Sequence, residues 1–490
     1  MERAELAAIT DLRDWLDVME ELGELKTVRG ANWNLEIGAL SEANYKQSKS
    51  PALLFDEIPD YPQGFRVLTG ASGSPRRLGV ALRMGSGFTN AELVKALRGK
   101  PIEWESKAPN FPPEVLPDGP VKENVLLGDQ VDLSRFPTPF WHKHDGGRYI
   151  GTGDAVLIKD PETGVVNLGA YRVMVLDERD VSVMIVPGKH GIQYARKWFA
   201  RGERCPVAIS VGHDPLLAIL SGIEIPTGVS ELNYAGAIIG GRYPVVEGEV
   251  TGLPVPAASE VVLEGWLEEG KMATEGPYGE WHGYYSGGDY PAFRLKVEGV
   301  MHRNDPILLG SPPGKPPHDY SYFRSVMKSA LIFDSLAKAG VPAVQGVWCD
   351  EVGGGRLWIS VSIKQQFLGH ARMAGFIASQ CHAGAYMGRY VVVVDEDVDP
   401  TDIKEVIWAM CTRSDPAGDI EIIRRAWGSP ADPLSRDKKT PKSSRGIIDA
   451  CRPYEWMDEF PRAAAADPED LRAIREKFPG VFGDQAGSSE

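Results

Sequence analysis

The chain has 490 residues, of which 43% are hydrophobic and 25% are charged, a composition typical of globular proteins that excludes long disorder. The formal net charge of -15 argues against a nucleic-acid backbone as the main partner. No run of 18 apolar residues is present, so no membrane association is expected. Five dispersed cysteines without a CxxC spacing, and a charged start unlike a signal peptide, indicate a cytoplasmic protein with reduced thiols.

The N-terminal region is expected to be α/β and to pack on the rest of the chain. Apolar residues at helical spacing within residues 10–28 predict a helix, with Asp11 as its cap. Residues 50–140 are rich in Pro and Gly and contain short apolar runs. They indicate short strands and loops, with one helix at Asn90–Leu97.

The middle of the chain, from about residue 150 to 310, is β-rich. Gly, Pro and Asp separate its apolar segments at intervals typical of an antiparallel barrel. Helices are predicted at Gln193–Ala200 and near 215–221. The segment 165–190 predicts a hairpin with its tip near Glu178–Arg179.

The C-terminal part begins with a predicted helix at 321–339, which Gly340 ends. Strand and helix patterns then alternate, which indicates a second domain with a mixed or parallel sheet. The predicted division is 1–110 (N-terminal α/β region), 111–320 (β-rich domain), 321–340 (linker helix), 341–460 (C-terminal α/β domain) and 461–490 (tail, partly helical).

The segment EGPYGE, residues 275–280, contains two glutamates around a Gly-Pro-Tyr-Gly turn. Such a turn can direct both carboxylates into one space. Because two close carboxylates disfavour double ionisation, the pKa of one rises and that group can hold a proton near neutrality. A surface turn with solvated acids is the alternative, and the turn alone favours it.

The hairpin at 165–190 contains a possible metal site. If it is symmetric about its tip, Asn167 lies across from His190, with Cβ atoms about 5 Å apart. An imidazole and an amide oxygen suit Mn²⁺ or Mg²⁺ once a carboxylate joins them, and Glu231 is the best candidate nearby in sequence. A lone His at a strand end is, however, more typical of a structural histidine.

Arg172 lies five positions after Asn167, so strict strand alternation places the two side chains on opposite faces. Both can serve one site only if a bulge intervenes or if a ligand wraps around the strand. An Arg inside an apolar strand also needs a carboxylate partner, which Glu275 or Glu280 could supply. An ordinary Arg on an exposed face is the alternative.

Several segments together resemble the UbiD family, from about residue 10 to about residue 460. The segments are DLRDWLDVMEELGEL and NLEIGAL near the start, GGRYIGTGDAVL, NLGAYR, GKH, GVSELNYAGA, EVVLEGWL and EGPYGEWHGYY in the middle, and VVDEDVDPTDIKEVIWAM in the C-terminal part. The resemblance implies an α+β fold, in which a split β-barrel FMN-binding-type domain is joined by a long helix to an α/β C-terminal domain.

The resemblance also implies the cofactors and the residues that hold them. Prenylated FMN is expected, with its phosphate bound through Mn²⁺ (or Mg²⁺) and with K⁺ (or Na⁺) beside it. The metal ligands carried over by motif are Asn167, His190 and Glu231. The monovalent-cation positions, mostly backbone carbonyls, are Leu168, Leu220, Ser221, Ile223 and Glu231. The further cofactor-binding residues are Gly169, Ala170, Tyr171, Arg172, Lys189 and Arg445.

Two positions depart from the family pattern. Lys189 stands where some relatives have Gln, and it is either a solvated side chain or a cation that orients a substrate carboxylate or ring substituent. In KSSRGIIDAC, where several relatives place a flavin-contacting Lys, the closest basic residue is Arg445, with Lys442 as the alternative.

The activity implied is reversible, non-oxidative decarboxylation of an aromatic, heteroaromatic or α,β-unsaturated acid. The cofactor serves as electron sink through a covalent adduct with the substrate. The implied catalytic set is Arg172, Glu275 and Glu280, with Glu280 as proton donor. The segment 311–323, rich in Pro and aromatic residues, is expected to contact the substrate.

The expected partners are a small carboxylic acid, a flavin prenyltransferase that supplies the cofactor, and further copies of the chain in a homodimer or homohexamer. Two other classes of protein stay open from the residues. A split-barrel flavin oxidoreductase would transfer hydride from a nicotinamide. A non-catalytic flavin-binding or maturation protein would hold the cofactor without decarboxylating any acid.

Overall fold

The computed structural model describes residue 6 and residues 9–481. Its N-terminal part alternates helices and short strands. In chain order these are α1 (Leu12–Glu21), β1 (Leu25–Arg29), α2 (Glu36–Tyr45), β2 (Ala52–Asp56), β3 (Arg66–Thr69), α3 (Pro75–Ala81), α4 (Asn90–Leu97), α5 (Lys100–Lys107), β4 (Glu114–Leu116) and β5 (Asn124–Leu127).

The middle part is mainly β-structure interrupted by three helices. Its elements are β6 (Arg148–Gly151), β7 (Ala155–Lys159), β8 (Val166–Gly169), β9 (Val173–Val175), β10 (Asp180–Val183), α6 (His190–Ala200), β11 (Cys205–Val211), α7 (Pro215–Gly222), α8 (Glu231–Ile239), β12 (Pro244–Glu247), β13 (Pro254–Pro256), β14 (Val261–Leu267), β15 (Met272–Glu275), β16 (Tyr290–His302) and β17 (Ile307–Leu309).

The C-terminal part starts with the longest helix. Its elements are α9 (Asp319–Lys338), β18 (Val344–Cys349), β19 (Trp358–Ile363), α10 (His370–Gln380), α11 (His382–Ala385), β20 (Tyr390–Asp395), α12 (Ile403–Arg413), β21 (Ile420–Trp427), β22 (Lys442–Ala450) and α13 (Pro468–Lys477). None of the helices in the described part of the chain is both long enough and apolar enough to cross a membrane.

The central feature is an antiparallel sheet of ten strands. Its main path runs β6-β9-β10-β16-β14-β11-β7-β8, and β5 and β15 also pair with β16. The end strands β6 and β8 do not pair with each other within the described residues, so the sheet is open. The long β16 strand joins the two halves of the sheet, since it pairs with β10 near its start and with β14 towards its end.

Both faces of this sheet are buried. Along β7, Ala155 and Leu157 belong to one core cluster, while Val156 and Ile158 belong to another. The first cluster continues through α7, α8 and α9 into the C-terminal sheet. Side chains from both faces are therefore desolvated, and polar groups on these strands need partners.

The C-terminal sheet has the order β18-β19-β20-β22-β21. Its three central strands are parallel, and the two outer strands are antiparallel to their neighbours. The mixed sheet predicted from the alternating pattern is therefore confirmed. The long helix predicted at 321–339 is also present, as α9, and Gly340 follows it with a φ of 80°.

The N-terminal region contains more helix than predicted. The helix within residues 10–28 is confirmed, and Asp11 caps it by accepting hydrogen bonds from the backbone of Arg13 and Asp14. Residues 50–140, however, contain α3 and α5 as well as the predicted α4. Proline there was interpreted as a sign of loops, but Pro75 is the first residue of α3, where its fixed φ favours a helix and no hydrogen bond is lost.

Thr89→Ala is expected to destabilise the N-terminal region, because Thr89 and Glu92 form a reciprocal capping box on α4. The Thr89 hydroxyl accepts from the Glu92 backbone (3.3 Å), and the Glu92 carboxylate accepts from the Thr89 backbone (2.9 Å). We expect the free energy of unfolding to fall by about 1 kcal/mol, measured by chemical denaturation. Ser106→Ala, at an exposed hydroxyl on α5, is the control, and an equal effect of the two substitutions would contradict the capping role.

Candidate active site

An arginine lies between two glutamates at the start of β9. The Arg172 Nε atom lies 2.7 Å from Glu275 Oε1, and its Nη2 donates to Glu275 Oε2 at 2.8 Å. The Nη1 atom reaches Glu280 Oε1 at 3.4 Å. The structure thus brings the three predicted catalytic residues together, with the tighter contact on Glu275.

The two glutamates reach Arg172 because a turn folds back after β15. Glu275 is the last residue of that strand and is paired with Tyr290. The turn is held from outside by Gly146, whose backbone N–H donates to the Pro277 carbonyl at 2.7 Å. A Cβ at position 146 would lie 1.8 Å from the Gly276 oxygen, so only glycine allows this approach.

Arg172, Glu275 and Glu280 form a triad, and two tyrosines enclose its buried end. The Tyr149 hydroxyl donates to Glu275 Oε1 at 2.7 Å, and its ring lies 3.9 Å from that of Tyr278. Burial and the charge of Glu275 raise the pKa of Tyr149, so it remains a neutral donor. Glu275 is fully buried and is held by Arg172 and Tyr149 together.

Glu280 is in a different environment. Burial raises its pKa, the charge of Arg172 opposes that rise, and the charge of Glu275 reinforces it. Its side chain keeps 20% of its exposure, whereas that of Glu275 keeps none. One acid is therefore fixed as the partner of Arg172, while the other has a raised pKa and a partly exposed side chain.

A second carboxylate cluster lies at the start of α8. Glu231 accepts from Asn167 Nδ2 at 2.9 Å and from the backbone N–H of Leu168 at 2.7 Å. Burial raises the pKa of Glu231 to about 8. Among the described residues, no Lys or Arg forms an ion pair with it. A buried carboxylate beside an amide oxygen, without a basic partner, fits a bound cation.

His190 does not lie across a hairpin from Asn167, contrary to prediction. The predicted tip is confirmed, since Val175 pairs with Val181, but the ladder ends at Val183. Asn167 pairs with Ile158 of β7, and His190 is the first residue of α6. The predicted symmetry fails because the strand ends at residue 183, a loop follows over residues 184–189, and a helix begins at His190.

Tyr171 links His190 to the Asn167 cluster instead. Its hydroxyl donates to Asn167 Oδ1 at 3.4 Å and accepts from the backbone N–H of Gly191 at 3.2 Å. Its ring fits only because residues 169 and 191 are glycines, where a Cβ would lie 2.3 Å and 2.8 Å from ring atoms. The His190 Nε2 atom lies 2.9 Å from the Thr227 hydroxyl, and burial lowers the pKa of the imidazole, which favours the neutral form that binds metals.

The sequence predicted that strict alternation along one strand would place Asn167 and Arg172 on opposite faces, but the strand is broken between them. β8 ends at Gly169 and β9 begins at Val173, so the alternation does not continue between them. The Ala170 N–H donates at 3.0 Å to the carbonyl of Ser221, near the end of α7. A break, and not the bulge considered from the sequence, therefore lies between the two residues, and strict alternation does not fix the relative direction of their side chains.

The remaining predicted cofactor residues lie in different places. Leu220 and Ser221 are buried in α7, and Ile223 follows that helix. Lys189 is exposed and pairs with Glu224 at 3.1 Å. Arg445 is fully buried, and its Nη2 donates to the carbonyls of Ala385 and Trp427 in the C-terminal part.

Arg445 is thus not brought to the residues of the large sheet by any hydrogen bond of the described chain. Its guanidinium binds backbone carbonyls beside β22, as a structural arginine does. Lys442, the alternative, is exposed at the start of the same strand.

The residues that sequence reasoning missed are Tyr149, Gly146 and Thr227. The first two lie in the segment GGRYIG, which was quoted only for its resemblance to the family.

The chain matches three family profiles in succession. They are the N-terminal domain (residues 16–97), the Rift-related domain (114–316) and the C-terminal domain (321–450) of 3-octaprenyl-4-hydroxybenzoate carboxy-lyase, UbiD. The three matches follow the order of the N-terminal region, the large sheet and the C-terminal sheet.

Two curated relatives are similar over nearly their whole length. The pyrrole-2-carboxylic acid decarboxylase of Pseudomonas aeruginosa is 32% identical, over 97% of this chain and 99% of the relative. The phenolic acid decarboxylase of Streptomyces sp. (strain D7) is 32% identical, over 91% and 93%.

Solved structures show the same likeness. The UbiD-class enzyme HmfF from Pelotomaculum thermopropionicum, in complex with FMN, superposes with a TM-score of 0.82 at 28% identity, over 95% of this chain and 99% of that one. The vanillic acid decarboxylase of Sedimentibacter hydroxybenzoicus, in open form, also gives 0.82 at 28% identity, over 97% and 99%. With the profiles and relatives above, this likeness shows that the chain belongs to the UbiD family of carboxy-lyases.

Proposed function

We propose that the protein is a reversible, non-oxidative decarboxylase of an aromatic, heteroaromatic or α,β-unsaturated acid, in which Glu280 delivers a proton to the carbon that loses CO₂. The observation that carries this proposal is the unequal sharing of Arg172 between two acids. Glu275 binds Arg172 through both oxygens and supplies its counter-charge. Glu280, with a single contact at 3.4 Å and a raised pKa, is left to hold the proton.

The reaction needs an electron sink that no side chain provides, since a vinyl or aryl carbanion is unstable. Prenylated FMN, when bound, supplies that sink. The likeness to HmfF in complex with FMN, and to an evolved dimeric HmfF in complex with prenylated FMN, supports a flavin in this chain. A flavin prenyltransferase would supply the modified form, and the open ten-stranded sheet would form the split-barrel cradle.

The cofactor phosphate would be held through a divalent cation, Mn²⁺ or Mg²⁺, on Asn167, His190 and Glu231. The supporting observation is the buried Glu231 carboxylate, which has an amide neighbour and no ion-pair partner in the described chain. A monovalent cation, K⁺ or Na⁺, would take backbone carbonyls near Ser221 and Ile223. These hard oxygen donors suit such cations.

The decisive test combines the cofactor with an acid panel. The protein is produced together with a flavin prenyltransferase, the bound cofactor is released and weighed by mass spectrometry, and CO₂ release is followed for pyrrole-2-carboxylate, hydroxybenzoates and cinnamate. We expect a prenylated mass and CO₂ loss from at least one acid. Prenylated flavin without CO₂ loss would point to a storage or maturation protein, and oxidation of NADH by the flavin would point to an oxidoreductase.

The proton-donor role predicts a pH dependence of kcat. Glu280 must be protonated to donate, and burial raises its pKa above the ordinary value of about 4.3. Activity should therefore be retained below the raised pKa and should fall as pH increases through it. A kcat that instead falls towards acid, with no alkaline limb, would contradict the role of Glu280 as donor.

A further inference from the structure

A group of basic side chains lies between the large sheet and the C-terminal domain. Arg324 and Lys328 are one helical turn apart on α9, and Arg356 lies in the loop before β19. Lys189 stands at the end of the group, paired with Glu224. We call Arg324, Lys328 and Arg356 the cation cluster.

Among the described residues, the cation cluster forms no ion pair. Arg324 donates to the carbonyl of Gly222 at 3.1 Å, and in the described chain this is its only hydrogen bond. The Nε atom of Arg356 is buried without a hydrogen-bond partner. Lys328 likewise forms no ion pair with any described residue, although solvated surface lysines are far commoner than unpaired half-buried ones.

The three cations are desolvated without being fully buried. Each retains partial solvent access. Burial nevertheless lowers the pKa of Arg324 to about 9 and that of Lys328 to about 8, and the charge of Arg356 lowers both further. Desolvation of this kind disfavours the charged form of each side chain. The arrangement is costly unless an anion occupies the space between the cations.

Arg356 lies near the proposed proton donor, since its charge acts on Glu280. The Arg356 guanidinium lies 5.1 Å from the ring of Trp281 and 5.2 Å from that of Tyr386. Trp281 directly follows Glu280, and its carbonyl lies 3.0 Å from Nε2 of His318, the residue that caps α9. A flat acid with its reactive carbon at Glu280 would therefore extend along Trp281 towards Arg356.

The charges around the cation cluster do not balance. Glu224 is an acid beside the cluster, and it pairs with Lys189 at 3.1 Å. This one carboxylate cannot offset Lys189 and the three cations of the cluster, and Glu280 is protonated when it donates. At least one more negative charge is needed from a ligand that enters beside Glu280.

We propose that the cation cluster binds a second carboxylate of the substrate, so that the preferred substrates are flat dicarboxylic acids. This inference rests on the proposed decarboxylase function. The first carboxylate is lost as CO₂ near Glu280, and the second stays ionised and holds the ring through Arg356 and Lys328. The cofactor phosphate has the same oxyanion chemistry, so the test must separate the two sources.

Binding is measured by calorimetry on protein loaded with Mn²⁺ and unmodified FMN, which lacks the prenyl group and so allows binding without turnover. The probes are pyrrole-2-carboxylate and pyrrole-2,5-dicarboxylate. The variants are Lys328→Met and Arg356→Met, with Lys328→Arg to keep the charge. Lys338→Met, at an exposed position on the same helix, is the control.

For the wild type, we expect the dicarboxylate to bind at least about tenfold more tightly than the monocarboxylate. Each Met variant should remove most of that preference while FMN occupancy stays unchanged, and Lys328→Arg and Lys338→Met should keep it. Equal binding of both acids by the wild type would overturn the proposal. Loss of FMN from the Met variants, with the preference intact, would also overturn it and would assign the cluster to the cofactor phosphate.

Turnover of the same two acids by protein loaded with prenylated FMN separates this inference from the proposed function. A preference for the dicarboxylate in binding, without CO₂ release from either acid, would contradict the decarboxylase function and leave the anion subsite standing. CO₂ release from the monocarboxylate, with no preference in binding or in KM, would contradict the subsite and leave the function standing.

Discussion

Glu280→Gln is expected to lower kcat by about 10³-fold, because the amide retains the size and polarity of the side chain but cannot donate an acidic proton. Cofactor binding should not change, since Glu280 contacts Arg172 and none of the predicted metal ligands. Decarboxylation and ¹³CO₂ exchange into the acid should fall together, because the same proton is delivered in one direction and removed in the other. CO₂ release and flavin content measured on one sample provide the comparison.

Glu269→Gln is the matched control for this substitution. Glu269 is exposed just before β15, so removal of its charge leaves the triad intact. The control should retain full activity. If Glu280→Gln kept its turnover with a normal flavin content, Glu280 would not be the donor, and Tyr149 or a water molecule would have to supply the proton.

The His190→Ala variant is expected to lose both the bound metal and the bound flavin. This is the second of the two predictions with a large expected effect. Removal of one ligand should weaken metal affinity by about 100-fold or more, since even outer-shell partners contribute about 10–100-fold. The phosphate of the flavin would lose its anchor with the metal. Metal content by mass spectrometry and flavin content by absorbance, on purified protein, measure the two losses.

His382→Ala is the control, because His382 is an exposed histidine on α11 in the C-terminal part. It should retain both the metal and the flavin. If His190→Ala lost the metal but kept a full complement of flavin, the phosphate would be held by other groups. Flavin and metal both retained would show that His190 is not a ligand.

Local rules predicted much of the fold. Helical spacing and a capping residue located α1, the helix predicted at Asn90–Leu97 is present as α4, and the strand-turn-strand pattern located the β9–β10 hairpin with its tip. These features depend on residues within one or two turns of each other, which a sequence displays directly. The helices α3 and α5 were missed because proline was interpreted as a breaker at positions where it begins a helix.

The candidate site was predicted unevenly. An arginine in an apolar strand needs an acid, so Glu275 or Glu280 was considered as a partner of Arg172, with an exposed arginine as the alternative. The resemblance implied the full set, and the structure brings the three residues together. The position of His190 was not predicted, because it depends on where a strand stops and α6 begins. Asn167 and Glu231 are 64 positions apart. Their pairing was suggested by the resemblance and by the choice of Glu231 as the best candidate carboxylate nearby in sequence, and no periodic spacing indicated it.

Tyr149 and Thr227 show what a sequence does not reveal about a site. Each hydroxyl contacts a residue that is distant in the chain, Glu275 for Tyr149 and His190 for Thr227. Tyr171 was named by the resemblance, but its contacts were not predicted: its ring depends on two glycines, at 169 and 191, that leave room for it. Close approaches of this kind follow from packing in three dimensions and have no periodic signature.

The central claim is that this chain exchanges CO₂ with an unsaturated or aromatic acid by means of prenylated FMN and Glu280. The most direct measurement is the incorporation of ¹³CO₂ into each acid of a panel by protein loaded with prenylated FMN, beside the same protein loaded with FMN. We predict ¹³C in the carboxyl group of at least one acid with prenylated FMN and none with FMN. No incorporation into any acid by fully loaded protein, or equal incorporation with both flavins, would contradict the claim.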